Sequence, residues 1–154
     1  MTDPEQVVEA NLKFYFALES LDVDLMEEVW ATDASAICVQ PNWNRLAGWD
    51  NIRASWEQIF RNTTFMRVKV SDVSVEVQGN VAWVTCLTDI STTVNEEMRH
   101  AQAYATNIFV FEEIVSGKLH VIEIAVHVEK EGIAAPTEEK TVVAGFRYQS
   151  FALD

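Results

Sequence analysis

Basic charge is scarce: 11 lysines and arginines stand against 24 acidic residues over 154 positions, a formal net charge of −13. That deficit argues against nucleic acid and anionic membrane as partners, because both are bound through an excess of Lys and Arg. No apolar run reaches the roughly 18 residues of a membrane span, and no basic-then-apolar stretch opens the chain. The sequence therefore predicts a soluble, cytoplasmic protein. Cysteines number only two, Cys38 and Cys86. Both sit in apolar, strand-like runs and read as small core residues rather than as a disulfide or a metal pair. Neither has a histidine beside it in sequence, and no G-x-S-x-G is present, so nucleophilic catalysis lacks a motif. There is no G-x-G-x-x-G or Walker-type loop for a dinucleotide or phosphate. His100 and His120 lack metal-ligand spacing to a second His or Cys. Neither a metal nor a cofactor is expected. Repeats, low-complexity tracts and charge blocks are missing too, the acids being spread along a solvated surface.

What is present is an ordinary globular balance, 49% apolar and 23% charged. One domain of this length buries a sizeable core without disulfides or a structural metal. Asp3 before Pro4 marks a helix start, as cap residue and first-turn proline. Val8, Leu12, Tyr15 and Phe16 then recur at helical spacing, while Ala10, Phe14, Ala17, Leu18 and Leu21 form a second stripe. A helix apolar this far round is expected to be covered on most sides. Asp22 caps a short second helix with Leu25, Met26, Val29 and Trp30 on one face. Ser35 to Val39 reads as a strand ended by the turn Gln40-Pro41-Asn42. A third helix is predicted from about Gly48 to Asn62 on the spacing of Trp49, Ile52, Trp56, Ile59 and Phe60.

Beyond Asn62 the period changes to two. Residues 66–78 alternate with a break at Ser71-Asp72, where a bulge restores phase, and Gly79-Asn80 forms a hairpin turn. Val81–Val94, 99–115 and Lys118–Lys130 follow as long strands. Three helices and then a run of antiparallel strands make an α+β plan, with the helices on one face of a bent sheet. Residues 1–130 form this domain. Residues 131–154 read as an extension: a polar linker containing Pro136, then Thr141–Ala144 and Phe146–Phe151 as extended segments that pack on something. They are expected to add an edge strand, with an arm to a partner subunit as the alternative.

Several short segments carry a resemblance. Phe16-Ala17-Leu18-Glu19 leads into Asp22, Asp24 and Trp30; Val39-Gln40-Pro41 and Trp43 come next. Gly48 is followed by Ser55-Trp56 and Ile59-Phe60, then by Val81-Ala82-Trp83-Val84-Thr85-Cys86 and Ala105-Thr106-Asn107-Ile108-Phe109. Together, over roughly residues 5–128, they resemble the SnoaL-like group of the NTF2-like superfamily. The resemblance implies a cone: three N-terminal helices packed on a strongly bent antiparallel sheet around a pocket, usually as a homodimer through the outer sheet face. Family members include isomerases, cyclases, dehydratases and proteins without known activity, so fold is better specified than function.

Ketosteroid isomerases of this superfamily use a tyrosine on helix one, a base aspartate before a proline, and a protonated aspartate two residues before an F-x-F segment. At those motifs this sequence offers Phe14, Gln40 and Asn107. None of them exchanges a proton near neutral pH, which weighs against that chemistry. The resemblance places Gln40 and Asn107 inside the pocket. There the amides either orient a carbonyl or hydroxyl of a neutral ligand, or bond to each other and to backbone. The implied pocket comprises Phe14, Leu18, Trp30, Gln40, Trp43, Trp56, Phe60, Cys86, Asn107, Phe109, Ile122 and Ile124. Trp43 and Trp49 are candidates for a lip that stacks on a flat ligand.

Strand alternation, in the family register, turns Trp83, Leu87, Asp89, Ile108, Val110, Val121, Glu123 and His127 outward. Five of these are large and apolar, and a second copy is the economical cover, giving a two-fold dimer. Glu123 and His127 are roughly 13 Å apart along a strand and read as polar interface groups, not as an acid/base pair. A short histidine run common in related sequences is replaced by Ile122-Glu123-Ile124. The leading expectation is a homodimer binding a small neutral organic molecule in an apolar pocket. The alternatives are a cyclase, dehydratase or isomerase acting by substrate positioning, with Tyr15 or Tyr104 as donor, and an association module with a vestigial pocket.

Overall fold

A computed structural model describes residues 3–32, 34, 36–39, 44–112 and 118–128, with Glu112 and the last of these segments described by backbone alone. Helix α1 (Pro4–Ser20) starts in a capping box: the Asp3 carboxylate accepts the Glu5 N–H at 3.0 Å, and the Asp3 N–H donates to Gln6 Oε1 at 3.3 Å. This satisfies donors that the first helical turn cannot pair internally. Leu21, at φ 54°, closes the helix in the left-handed conformation. Asp22 then caps α2 (Val23–Val29) by accepting from the Asp24 and Leu25 N–H groups. Helix α3 (Trp49–Arg61) begins after Gly48, whose φ of 86° suits a residue without a Cβ. Arg53 on α3 pairs with Asp24 and Glu27 of α2 and with Glu57 one turn on, tying the two helices at their surface.

The sheet holds six strands among the described residues, in the order β2-β1-β6-β5-β4-β3. They are β1 (Ile37–Cys38), β2 (Leu46–Ala47), β3 (Thr63–Gln78), β4 (Val81–Val94), β5 (Glu97–Glu112) and β6 (Lys118–Val128). The expected strand Ser35–Val39 shrinks to two residues, and the short partner β2 had no periodic signal. β1 runs parallel to β6, whereas the remaining pairs are antiparallel. The β3–β4 register shifts between Ser71 and Ser74, with Asp72 at φ 52°, so the break at Ser71-Asp72 is a bulge. Asn95 and Glu96, both at positive φ, make the tight β4–β5 turn.

Alternation sorts the long strands. Ala82, Val84, Cys86, Thr88 and Ile90 of β4 and Ala103, Ala105, Asn107 and Phe109 of β5 are buried beneath the helices. Trp83, Leu87, Asp89, Ile108 and Val110 lie half-buried on the other face. A bulge in β6 alters one expectation. Val121 is the register partner of the inward Phe109, and Ile122 falls between paired positions. The outward placement of Val121 and the inward placement of Ile122 thus lose their register. Ile124 still pairs with Asn107, Glu123 with Ile108 and His127 with Tyr104. Helix α1 also departs from expectation: Val8, Leu12 and Phe16 are exposed.

Candidate functional site

Phe14 is the hub of the interior. Its ring meets Tyr15 edge-on at 4.8 Å between centroids, Trp30 at 6.4 Å and Trp56 at 6.1 Å. Trp56 in turn tilts against Phe60 at 5.6 Å. With Leu18 and Phe109 these side chains are buried between α1, α3 and the inner sheet face. Such edge-to-face contacts add to the stabilisation from area burial alone. Trp49 belongs to this packing: it is buried, lies 6.2 Å from Trp30 and donates its ring N–H to Glu27 at 3.3 Å. A lip role for Trp49 is thereby excluded. Gln40 and Trp43 lie outside the described residues, as do the side chains of Ile122, Ile124, Val121, Glu123 and His127.

Beside the aromatic hub sits a polar group of four. Asn11 and Tyr15 project from the buried face of α1, Cys86 from β4 and Asn107 from β5. Asn107 Nδ2 donates to Asn11 Oδ1 at 2.7 Å and to the Tyr15 hydroxyl at 3.1 Å. Asn11 Nδ2 and the Tyr15 oxygen each stand 3.9 Å from Cys86 Sγ, at the reach of weak sulfur hydrogen bonds. Asn107 is 0% exposed, yet among the described residues its Oδ1 has no hydrogen-bond partner. Turning both amides over exchanges their roles and leaves the Asn107 nitrogen unpaired instead. Among the described residues, one edge of this amide therefore stays open either way. Buried polar atoms are nearly always paired, so an open one marks a place where a further group fits.

All four members are neutral at physiological pH. Burial pushes the Tyr15 hydroxyl well above the usual range, and the Cys86 thiol up to about 11. Burial likewise raises the Cys38 thiol. The cluster therefore donates and accepts hydrogen bonds without exchanging protons near pH 7. Phe14 is not the residue that reaches Asn107; the neighbouring Tyr15 is, so a tyrosine hydroxyl does stand in the interior. Asn11 carried a signal that the motif comparison passed over: it is a polar residue four positions from both Val7 and Tyr15 on the buried stripe.

The charged groups that pair on the sheet lie elsewhere. On the outer face, Asp89 bonds to His100 and accepts from Gln102 Nε2 at 3.2 Å. Partial burial opposes its ionisation, but those hydrogen bonds and the charges of His100 and Lys69 outweigh it and hold the carboxyl below its ordinary range. Tyr104 is exposed and donates to Asp72 at 3.3 Å, away from the cluster. Among the described residues no three His, Cys, Asp or Glu side chains come together as a metal site. No described helix is long and apolar enough to cross a membrane.

The sequence pattern of the SnoaL-like domain matches residues 7–114. No curated relative matches the chain in sequence. A suggested dehydratase of the NTF2-like family from Streptomyces avermitilis is 28% identical, with a TM-score of 0.75 over 84% of this chain and 97% of that one. A suggested aromatic ring hydroxylase from Novosphingobium aromaticivorans superposes at 0.74 with 12% identity, over 91% of this chain and 96% of its own. The CaMKII hub of S. rosetta superposes at 0.66 with 16% identity, over 84% and 98%. These neighbours share the NTF2-like cone, an α+β fold.

Proposed function

The chain belongs to the SnoaL-like domain family, and from that premise we propose that its interior binds a small, neutral organic molecule at the open edge of the Asn107 amide. The observation that carries this reading is the unpaired Asn107 Oδ1 in a fully buried position. An amide edge and a protonated phenol select a neutral partner, because a carboxylate or ammonium brought into this dry interior would have no counter-charge. Phe14, Leu18, Trp56, Phe60 and Phe109 supply apolar walls. Gln40, in the role that the resemblance implies, adds a further amide. The absence of a proton-exchanging group within the cluster favours binding over acid/base catalysis.

The same reading includes a homodimer through the outer sheet face. Trp83, Leu87, Ile108 and Val110 are half-buried there in a single chain, and a second copy buries them further. The Streptomyces neighbour supports a second reading, an enzyme that acts by positioning. The hub neighbour supports a third, association without a ligand.

Native mass spectrometry of protein purified from its own source tests the proposal. The expected result is a dimer carrying an additional small organic mass, lost in Asn107→Leu while the dimer persists. Retention of that mass in Asn107→Leu, or a clean wild-type dimer, would overturn the reading.

A further inference from the structure

Helix α1 presents an apolar stripe to solvent. Val8, Leu12 and Phe16 recur every fourth residue along the flank of the buried arc of Val7, Asn11, Phe14, Tyr15 and Leu18, and are 36%, 53% and 63% exposed. Helical geometry puts Glu5, Glu9 and Glu19 on the same arc, with Lys13 at its margin. The face is therefore apolar along its centre and acidic at its flanks. Large apolar side chains gathered in this way mark a surface that another element covers.

The chain holds a candidate of matching chemistry. Residues 129–154 lie outside the described part. Between Lys140 and Phe151 they carry Val142, Val143, Phe146, Tyr148 and Phe151 together with Lys140 and Arg147, and no acid. In a protein of net charge −13 this is a basic, apolar stretch. The twelve residues after Val128 span up to about 40 Å when extended. A domain of this size has a radius of gyration of about 14 Å, so every part of α1 is within reach. An added strand along the first half of β3, the long edge strand of the sheet, is disfavoured by one contact. The Glu19 carboxylate already accepts the Val68 N–H at 2.7 Å, occupying a group that an incoming strand would need.

We propose that residues 141–151 of the same chain dock across Val8, Leu12 and Phe16 of α1, with Lys140 and Arg147 toward Glu5 and Glu9. This inference is independent of the ligand site. It predicts that the extension shields α1 within one molecule and does not serve as an arm to another.

Hydroxyl-radical footprinting of the full-length chain, read by mass spectrometry, tests it. Oxidation of Phe16 is expected to be several-fold slower in the wild type than in a Phe146→Ser, Tyr148→Ser, Phe151→Ser variant. That protection should be the same in monomeric and concentrated samples. Conversely, Leu12→Gln with Phe16→Gln should speed tryptic cleavage after Arg147 several-fold while leaving the circular dichroism spectrum unchanged. Equal Phe16 oxidation in wild type and triple variant would overturn the proposal, as would unaltered cleavage in the double variant. Protection that vanishes on dilution to monomer would assign the stripe to a second copy and also overturn it.

Discussion

Replacing the two buried asparagines by leucine, singly and together, should give strongly non-additive stabilities. Asn11→Leu takes away the oxygen that holds Asn107 Nδ2 at 2.7 Å. Asn107 is then left with an unpaired donor beside its already unpaired Oδ1. An unsatisfied buried polar group costs about 1–3 kcal/mol, so a loss of about 2 kcal/mol is expected. Asn107→Leu orphans Asn11 Oδ1, a similar cost, but it also removes the open Oδ1, whose burial is already unfavourable. The two terms offset, and the net change should lie within about 1 kcal/mol of zero. The double variant forfeits both hydrogen bonds of Asn107, about 1 kcal/mol each, but removes the open Oδ1 and leaves no amide atom in the interior, so it should lie within about 1 kcal/mol of the wild type. The coupling energy is then about −2 kcal/mol, the double variant exceeding Asn11→Leu in stability. Urea unfolding followed by tryptophan fluorescence reads this directly. With a slope of about 2 kcal/mol per molar urea, the Asn11→Leu midpoint falls by about 1 M and recovers in the double variant. Additive losses, with Asn107→Leu as costly as Asn11→Leu, would refute the reasoning, since they would mean that Asn107 Oδ1 is paired in the folded protein.

Other consequences concern where charge sits. The depressed Asp89 carboxyl contributes stability that is present above its unfolded value of about pH 3.9 and lost as pH falls through its lower folded value. The stability advantage of wild type over Asp89→Asn should therefore hold at pH 5 to 7 and vanish in more acidic urea titrations. Cys38 and Cys86 are both free and buried, with thiols pushed up by burial. Native protein at pH 8 should resist iodoacetamide, and both thiols should label promptly in denaturant; prompt native labelling of either would contradict the packing. Ligand affinity, measured by calorimetry on whatever molecule co-purifies, should stay flat from pH 5 to 9, because neither Tyr15 nor Cys86 ionises in that window. A step near neutrality would require a titrating group in contact with the ligand.

Local rules made most of the fold legible. Asp3-Pro4 and Asp22 announced two helix starts because capping is a contact between near neighbours in sequence. Val81 to Ile90 alternated cleanly enough to fix which side chains face inward. The pairing β2–β1–β6 left little trace, since two-residue strands are held by their partners rather than by their own pattern. The bulge in β6 changed the phase at Val121 and Ile122 without any glycine to mark it. At the site, Asn107 was identifiable because it interrupts an apolar strand. The tyrosine that meets it was displaced by one position from the motif. A one-residue offset on a helix rotates a side chain by about 100°, so only the packed structure decides between Phe14 and Tyr15.

That rotation also bears on what the site can do. Had Phe14 faced Asn107, the interior would offer one amide in a hydrocarbon setting. With Tyr15 there instead, and Asn11 one turn earlier on the same face, the sequence commits three polar side chains and a thiol to a region that could have been packed with aliphatics. Burying such groups is unfavourable unless they are paired, and here the pairing is incomplete by one amide edge. Stability alone accounts for the two amide hydrogen bonds and the two weak sulfur contacts that are made, not for the edge left open among the described residues. Meanwhile the depressed carboxyl of Asp89 and the exposed His100 are held on the opposite sheet face, separated from the cluster by the sheet itself. The fold thus segregates its charged chemistry from its interior polarity. The proposed neutral guest, completing the Asn107 amide, fits this division of the molecule.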